Sequence, residues 1–87
     1  MAAPQMPTES VTLTVEQIGE LNRKLSDMRH DINSNLSVIS LGAEVVKLNP
    51  AKAQEMLSKL AEQPLKITEH IKRFSSEFER TFGIRRG

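Results

Sequence analysis

Hydrophobic residues recur along the first half of the chain at alternating steps of three and four residues. The positions with this spacing form one file along the predicted helix: Ile18, Leu21, Leu25, Met28, Ile32, Asn35, Ile39, Gly42 and Val46. Only Asn35 and Gly42 interrupt its large apolar side chains. This spacing is a heptad pattern, and it predicts a long helix with one apolar seam. Thr14 and Gln17 have the spacing of a capping box, so we expect the helix to span residues 14–48.

A second file with the same spacing follows a break at Asn49 and Pro50. Its members are Ala53, Leu57, Leu60, Pro64, Ile67, Ile71, Phe74 and Phe78. Asn49 is a favourable N-cap and Pro50 suits the first helical position, while Gly83 suits a helix C-terminus. These signals predict a second helix over residues 50–82. Pro64 falls inside it, and since the file keeps its phase there, we expect a kink and not a break.

The two helices have about 30 residues each and are roughly 45–50 Å long. In a single hairpin, much of their apolar surface would be exposed to solvent. The predicted fold is therefore all-α: a long antiparallel helical hairpin that dimerises into a four-helix bundle. Residues 14–83 form the hairpin, residues 1–13 a flexible leader and residues 84–87 a tail. The alternative, a simple extended coiled coil, is disfavoured by the break between the two matched seams.

Composition narrows the possible functions of the 87-residue chain. It has no Cys, which excludes a disulfide or zinc-cysteine framework, and 12 Lys and Arg against 11 Asp and Glu. With so little net charge and three aromatic residues, nucleic acid is not expected as a partner. The longest apolar runs are too short to span a membrane, and the first ten residues do not resemble a secretory signal. The expected location is cytoplasmic, with no membrane partner.

The residue that stands out chemically is His30, which the seam places on the outward side of the first helix. A lone exposed histidine on a helix is most often only solvated. No second histidine lies at helical spacing from it, so metal binding is disfavoured. His70 lies close to the second seam, where a flanking or partly buried packing role is expected.

The segment from His30 to Leu36 reads His-Asp-Ile-Asn-Ser-Asn-Leu. It resembles the H-box of sensor histidine kinases, particularly the subgroup His-Asp-hydrophobic-Asn-Asn-x-Leu. In that family the H-box lies on the first helix of a dimeric hairpin, the dimerisation and histidine-phosphotransfer (DHp) domain. The resemblance covers residues 14–83 through the motif, the order of the helices and the heptads.

The resemblance implies roles for four residues. His30 would be the phosphoacceptor, since a neutral imidazole nitrogen is a competent nucleophile near neutral pH. Asp31 would orient the ring or accept its proton. Ser34 lies one turn further on, where the family often has Thr or Asn that helps to place a water for dephosphorylation of the partner. Ser34 stands where the subgroup has its second Asn, whereas Asn33 matches the first. A polar residue on a solvent-exposed helix face explains Asn33 equally well.

A complete histidine kinase has an ATP-binding domain after this hairpin, and no glycine-rich nucleotide loop follows here. We therefore expect a stand-alone phosphotransfer module of a two-component phosphorelay, or a kinase fragment, and whether the chain is itself an enzyme stays open. The expected partners are a second copy of the chain, a response-regulator receiver domain, and a histidine kinase or its ATP-binding domain. No cofactor is expected on this chain, and Mg²⁺ would be held by the partner.

The competing hypothesis is a non-catalytic protein, either a dimeric helical scaffold or a regulator that mimics a kinase hairpin. The heptads support it equally well. Substitution of His30 by Gln distinguishes the two, because a scaffold tolerates it and a phosphocarrier does not.

Overall fold

Two antiparallel helices dominate the computed structural model, which describes residues 3–86, without the side chain of Arg86. Helix α1 spans Val15–Leu48 and helix α2 spans Ala53–Phe82, with a single 3₁₀ turn at Pro50–Lys52 between them. The prediction of an all-α helical hairpin is confirmed.

Helix α1 begins with the predicted capping box. The Oγ1 of Thr14 accepts a hydrogen bond from the backbone N–H of Gln17 at 3.1 Å. The backbone N–H of Thr14 donates in turn to Oε1 of Gln17 at 2.8 Å. Two backbone N–H groups that would otherwise lack partners are thus satisfied at the helix start.

The connection between the helices is built around Asn49. Its side chain accepts a hydrogen bond from the backbone N–H of Ala51 at 3.3 Å, and Pro50 follows it as the first residue of the 3₁₀ turn. Regular α-helix starts only at Ala53 and then continues through Pro64 without interruption. The connection is short enough to force the two helices to run antiparallel.

Helix α2 ends at a glycine in the left-handed region. Gly83 has φ of 67°, and the backbone N–H of Ile84 donates to the carbonyl of Glu79 at 2.8 Å. This is the Schellman arrangement, in which glycine avoids the strain that a Cβ would bring. The chain then pairs Arg85–Arg86 (β2) with Pro4–Gln5 (β1) as a two-residue antiparallel ladder. Sequence patterns had not indicated this pairing between the predicted leader and tail.

The seam predicted for α1 faces α2. Apart from the exposed Ile18, its members are at least half-buried, and Gly42 is buried. A Cβ on Gly42 would lie 2.6 Å from Cδ2 of Leu60. The glycine therefore allows the two helices to approach closely at this level.

The seam predicted for α2 is only partly right. Nine of its less exposed residues form a file at three- and four-residue steps: Ala53, Met56, Leu60, Gln63, Ile67, His70, Phe74, Glu77 and Thr81. In contrast, Pro64 is exposed, and so are three large apolar members of the predicted seam: Leu57 by 61%, Ile71 by 47% and Phe78 by 39%. We call these three residues the outer apolar file. We call Gln63, His70 and Glu77, which take the inward positions instead, the inner polar file.

The hairpin has little interior of its own. Among residues 3–85, whose side chains are described, none of the hydrophobic ones is buried, and the one buried polar side chain is Gln63, 5% exposed. The molecule is a single layer of two helices, with dimensions of 58 × 32 × 13 Å. Neither helix is long and apolar enough to cross a membrane within the described residues.

Candidate functional site

His30 lies exposed on α1, and its backbone carbonyl is held by the next turn of the helix. The hydroxyl of Ser34 donates a hydrogen bond to that carbonyl at 3.1 Å. Ser37 makes the equivalent bond to the carbonyl of Asn33 at 3.0 Å. Helical serines commonly bond back to the carbonyl four residues earlier. His30, Asn33 and Ser34 thus share an accessible surface in the middle of α1.

Asp31 turns from this surface towards the other helix. Its Oδ2 lies 3.8 Å from Nδ1 of His70, and the two side chains are 47% and 21% exposed, respectively. This distance is too long for a hydrogen bond, but it allows an ion pair when the imidazole is protonated. Among the described residues, the ion-pair partner of Asp31 is therefore His70 and not His30. The predicted action of Asp31 on His30 stays a prediction.

Asp31 and His70 both line an open groove of about 390 Å³ between the helices. Its remaining lining residues are Arg23, Lys24, Asp27, Met28, Arg73, Phe74 and Glu77. The sequence predicts only a flanking or packing role for His70. The seven-residue spacing of Gln63, His70 and Glu77 was visible in the sequence, but a polar file is not expected on the inward face of a helix.

Ion pairs close one end of the groove. Nζ of Lys24 on α1 lies 2.6 Å from Oε2 of Glu77 on α2, and Arg80 also pairs with Glu77. The hydrogen bonds from Lys24 and Arg80 lower the pKa of the Glu77 carboxyl, because they stabilise its charged form. Glu77 is thus a bridge between the two helices.

Arg23 organises the acidic residues on the outer edge of the groove. It forms ion pairs with Glu20 and with Asp27, the latter at 3.2 Å. Its hydrogen bond is the main cause of a lowered pKa of Glu20. Most charges around the groove are therefore neutralised locally, which leaves no strong field of one sign.

A polar contact also joins the C-terminal part of residues 30–36 to α2. Nδ2 of Asn35 donates to Oε1 of Gln63 at 3.0 Å. Nε2 of Gln63 donates in turn to the carbonyl of Lys59 at 3.0 Å. The Oδ1 atom of Asn35 is buried without a hydrogen-bond partner in the structure. This contact holds the turn of α1 that follows His30 in register with α2.

Metal binding has no support in the geometry. Within the described part of the chain, no group of three or more His, Cys, Asp and Glu side chains could hold a metal ion. Asp31 and His70 form a pair and lack a third ligand nearby. The described residues present one exposed imidazole, that of His30, and one carboxylate–imidazole pair, Asp31 and His70.

Comparison of the chain with protein-family models, with curated proteins and with solved structures finds no significant match.

Proposed function

We propose that this chain is a histidine phosphotransfer module, in which His30 carries a phosphoryl group to or from the aspartate of a receiver domain. The observation that supports the proposal most is the placement of the H-box-like segment. Its histidine is exposed in the middle of a long helical hairpin, with Asp31 beside it and Ser34 one turn away. An exposed imidazole is accessible to the active site of a partner protein.

The proposed step needs little from this chain beyond a nucleophile. The lone pair of one imidazole nitrogen forms the N–P bond, while the bond from phosphorus to the donor oxygen breaks and that oxygen keeps the electron pair. The other ring nitrogen then carries a proton that a carboxylate can accept. Asp31 is the nearest such group in sequence. Mg²⁺ on the partner would neutralise the phosphoryl oxygens.

We further propose that the module is a homodimer that forms a four-helix bundle. A compact protein of 9.8 kDa exposes about 5200 Å², whereas this chain exposes 6915 Å². The outer apolar file contributes to that excess and lies on one helix face. A second copy offers the same apolar surface, so two-fold pairing would bury both.

The test is phosphoryl transfer, with the mass of the chain in solution as a second readout. The chain is incubated with a panel of phosphorylated receiver domains and with active histidine kinases, and His30→Gln serves as the control. We expect acid-labile, alkali-stable label on the wild type and none on the variant. Label that persists on His30→Gln would place the phosphoryl group elsewhere and contradict the proposal.

The second candidate function is a non-catalytic dimeric scaffold or kinase-mimicking regulator. It is favoured by one observation: Asp31 is directed to His70, in a contact that also serves simply to join two helices. A dimeric mass combined with no label from any donor would support this function instead.

A further inference from the structure

We propose that His70 is a positioning residue for Asp31, and that its protonation withdraws the Asp31 carboxylate from His30. The inference rests on the proposed function of His30 as a phosphoacceptor. It assigns the cross-helix pair an inhibitory action that strengthens as the pH falls. Asp31 follows His30 directly in the chain, yet its carboxylate is directed across the hairpin to His70.

In the structure, His70 faces the carboxylate that the proposed function assigns to His30. Oδ2 of Asp31 lies 3.8 Å from Nδ1 of His70. Asp31 remains about half exposed, so rotation about its side-chain bonds towards solvent is not blocked by packing. His70, by contrast, is only 21% exposed and is held in the inner polar file. The mobile member of the pair is therefore the carboxylate.

Among the charged and titratable side chains around the pair, the imidazole of His70 is of the type that changes its charge near neutral pH. From α1, the groove presents Arg23, Lys24, Asp27 and Asp31, and from α2 it presents Arg73 and Glu77. Two ion pairs already join Arg23 to Asp27 and Lys24 to Glu77. Imidazoles as a class gain their proton between about pH 8 and pH 5. The charges of Lys, Arg and carboxylate side chains stay constant over this range.

The proton balance gives the direction of the effect. When His30 attacks phosphorus, its other ring nitrogen becomes more acidic and passes its proton to Asp31. If His70 is neutral, Asp31 is free to turn to His30 and accept that proton. If His70 is protonated, the ion pair holds Asp31 on the groove side and makes it a weaker base. Transfer to His30 is then slower.

The contact itself is tested by a double-mutant cycle of Asp31→Asn and His70→Gln in the full chain, with the free energy of unfolding as the readout. At about pH 5.5 we expect the two substitutions to be non-additive, because each removes the same ion pair, and near about pH 8.5 they should become additive. The Glu62→Gln variant, altered at an exposed carboxylate on α2, replaces Asp31→Asn in the control cycle. Additivity of Asp31→Asn and His70→Gln at both pH values would overturn the inference whether or not His30 is ever phosphorylated.

The effect on chemistry is tested by the pH profile of label transfer to His30 in the wild type, His70→Gln and His70→Lys. At about pH 6, His70→Gln should be labelled about two- to fivefold faster than the wild type, and this ratio should fall towards one near pH 8.5. His70→Lys, charged throughout, should be slower than the wild type near pH 8.5. Any pH dependence that the variants share with the wild type cancels in the ratio.

A ratio that does not change with pH would show that His70 is only structural. Absence of label on the wild type from any donor would instead contradict the proposed function, and with it any action of His70 on His30. Circular dichroism of each variant confirms that the helices persist, so that a folding defect is not mistaken for either outcome.

Discussion

The two files of α2 invert the usual relation between burial and polarity. The inner polar file faces α1, although its members Gln63, His70 and Glu77 are all hydrophilic. The outer apolar file, only one position away along the helix at two of these levels, is exposed. In an isolated amphipathic helix that packs on one neighbour, the apolar file would be the buried one. The hairpin is therefore not assembled to bury the largest apolar area between its own two helices.

What the inner polar file provides is alignment. Gln63 bonds to Asn35, His70 faces Asp31 and Glu77 pairs with Lys24, so each member has its own partner on α1. A slip of one helical turn would break all three contacts at once. Buried polar contacts are weak contributors to stability, but in helical assemblies they can specify register. We infer that polar contacts set the register of this hairpin, and that its stability depends on covering the outer apolar file.

The largest effect, on the dissociation constant of the proposed dimer, is expected from a charged residue in the outer apolar file. In the proposed dimer, Ile71→Lys removes a buried isoleucine from each copy and buries an ammonium group. Loss of the isoleucine contacts alone is worth about 3–6 kcal/mol per dimer, because symmetry introduces the change twice. The dimer dissociation constant should rise more than about a hundredfold, as measured by analytical ultracentrifugation.

The matched control is Ser76→Lys, which adds the same charge at an exposed polar position of the same helix. It should leave the dissociation constant nearly unchanged. If Ile71→Lys also left it unchanged, the outer apolar file would not be a contact between copies. Helicity should fall together with dimer content, because a hairpin without a covered apolar face has little to stabilise it.

Much of the fold was predictable because local signals and periodicity agreed. Thr14 and Gln17 form the expected capping box, Asn49 starts the turn, and Gly83 ends α2. The seam of α1 was also predictable, since its apolar file is the inward one. The seam of α2 was not, because periodicity identifies the apolar face of a helix but not the partner that the face meets. Whether that partner is α1 or another chain depends on tertiary contacts.

The candidate site was predictable to a similar degree. The position of His30 on the exposed surface followed from its place between Met28 and Ile32 in the heptad file. The direction of Asp31 did not follow from the resemblance, since the residue next to a histidine on a helix points about 100° away around the axis. Its carboxylate therefore reaches α2, where His70 meets it.

An intermediate effect is expected at the contact between Asn35 and Gln63. In Gln63→Ala, the amide of Asn35 keeps its half-buried position without its partner. The free energy of unfolding should fall by about 1–3 kcal/mol. In the double variant Asn35→Leu, Gln63→Leu, both polar groups are gone, and stability should return close to that of the wild type or exceed it. Urea denaturation at fixed protein concentration measures both.

The exposed glutamine of the same helix provides the control. Gln54→Ala should change the free energy of unfolding by no more than about 0.5 kcal/mol. If the double variant were as unstable as Gln63→Ala, the contact would contribute stability rather than register. If register depends on it, the double variant should also show broadened or duplicated amide signals by NMR, since alternative alignments become accessible.

The smallest effect is expected at the end of the inner polar file, where Glu77 pairs with Lys24. The pKa of Glu77 is lowered in the folded protein, so its contribution to stability is complete above the pKa of an unfolded glutamate, about 4.3. That contribution disappears as the pH falls through the lower pKa of the folded state.

Glu77→Gln should therefore lower Tm slightly at neutral pH, and the difference from the wild type should shrink as the pH falls through the lowered pKa of Glu77. Since the pair is partly solvated, salt should also reduce the difference at neutral pH. Thermal denaturation followed by circular dichroism measures both dependences. Glu62→Gln is the matched control, because its carboxylate lies 4.0 Å from Lys66 on the same exposed helix face and joins no second helix. A Tm difference for Glu77→Gln that stayed constant from neutral to acidic pH would mean that its shape, and not its charge, aligns the two helices.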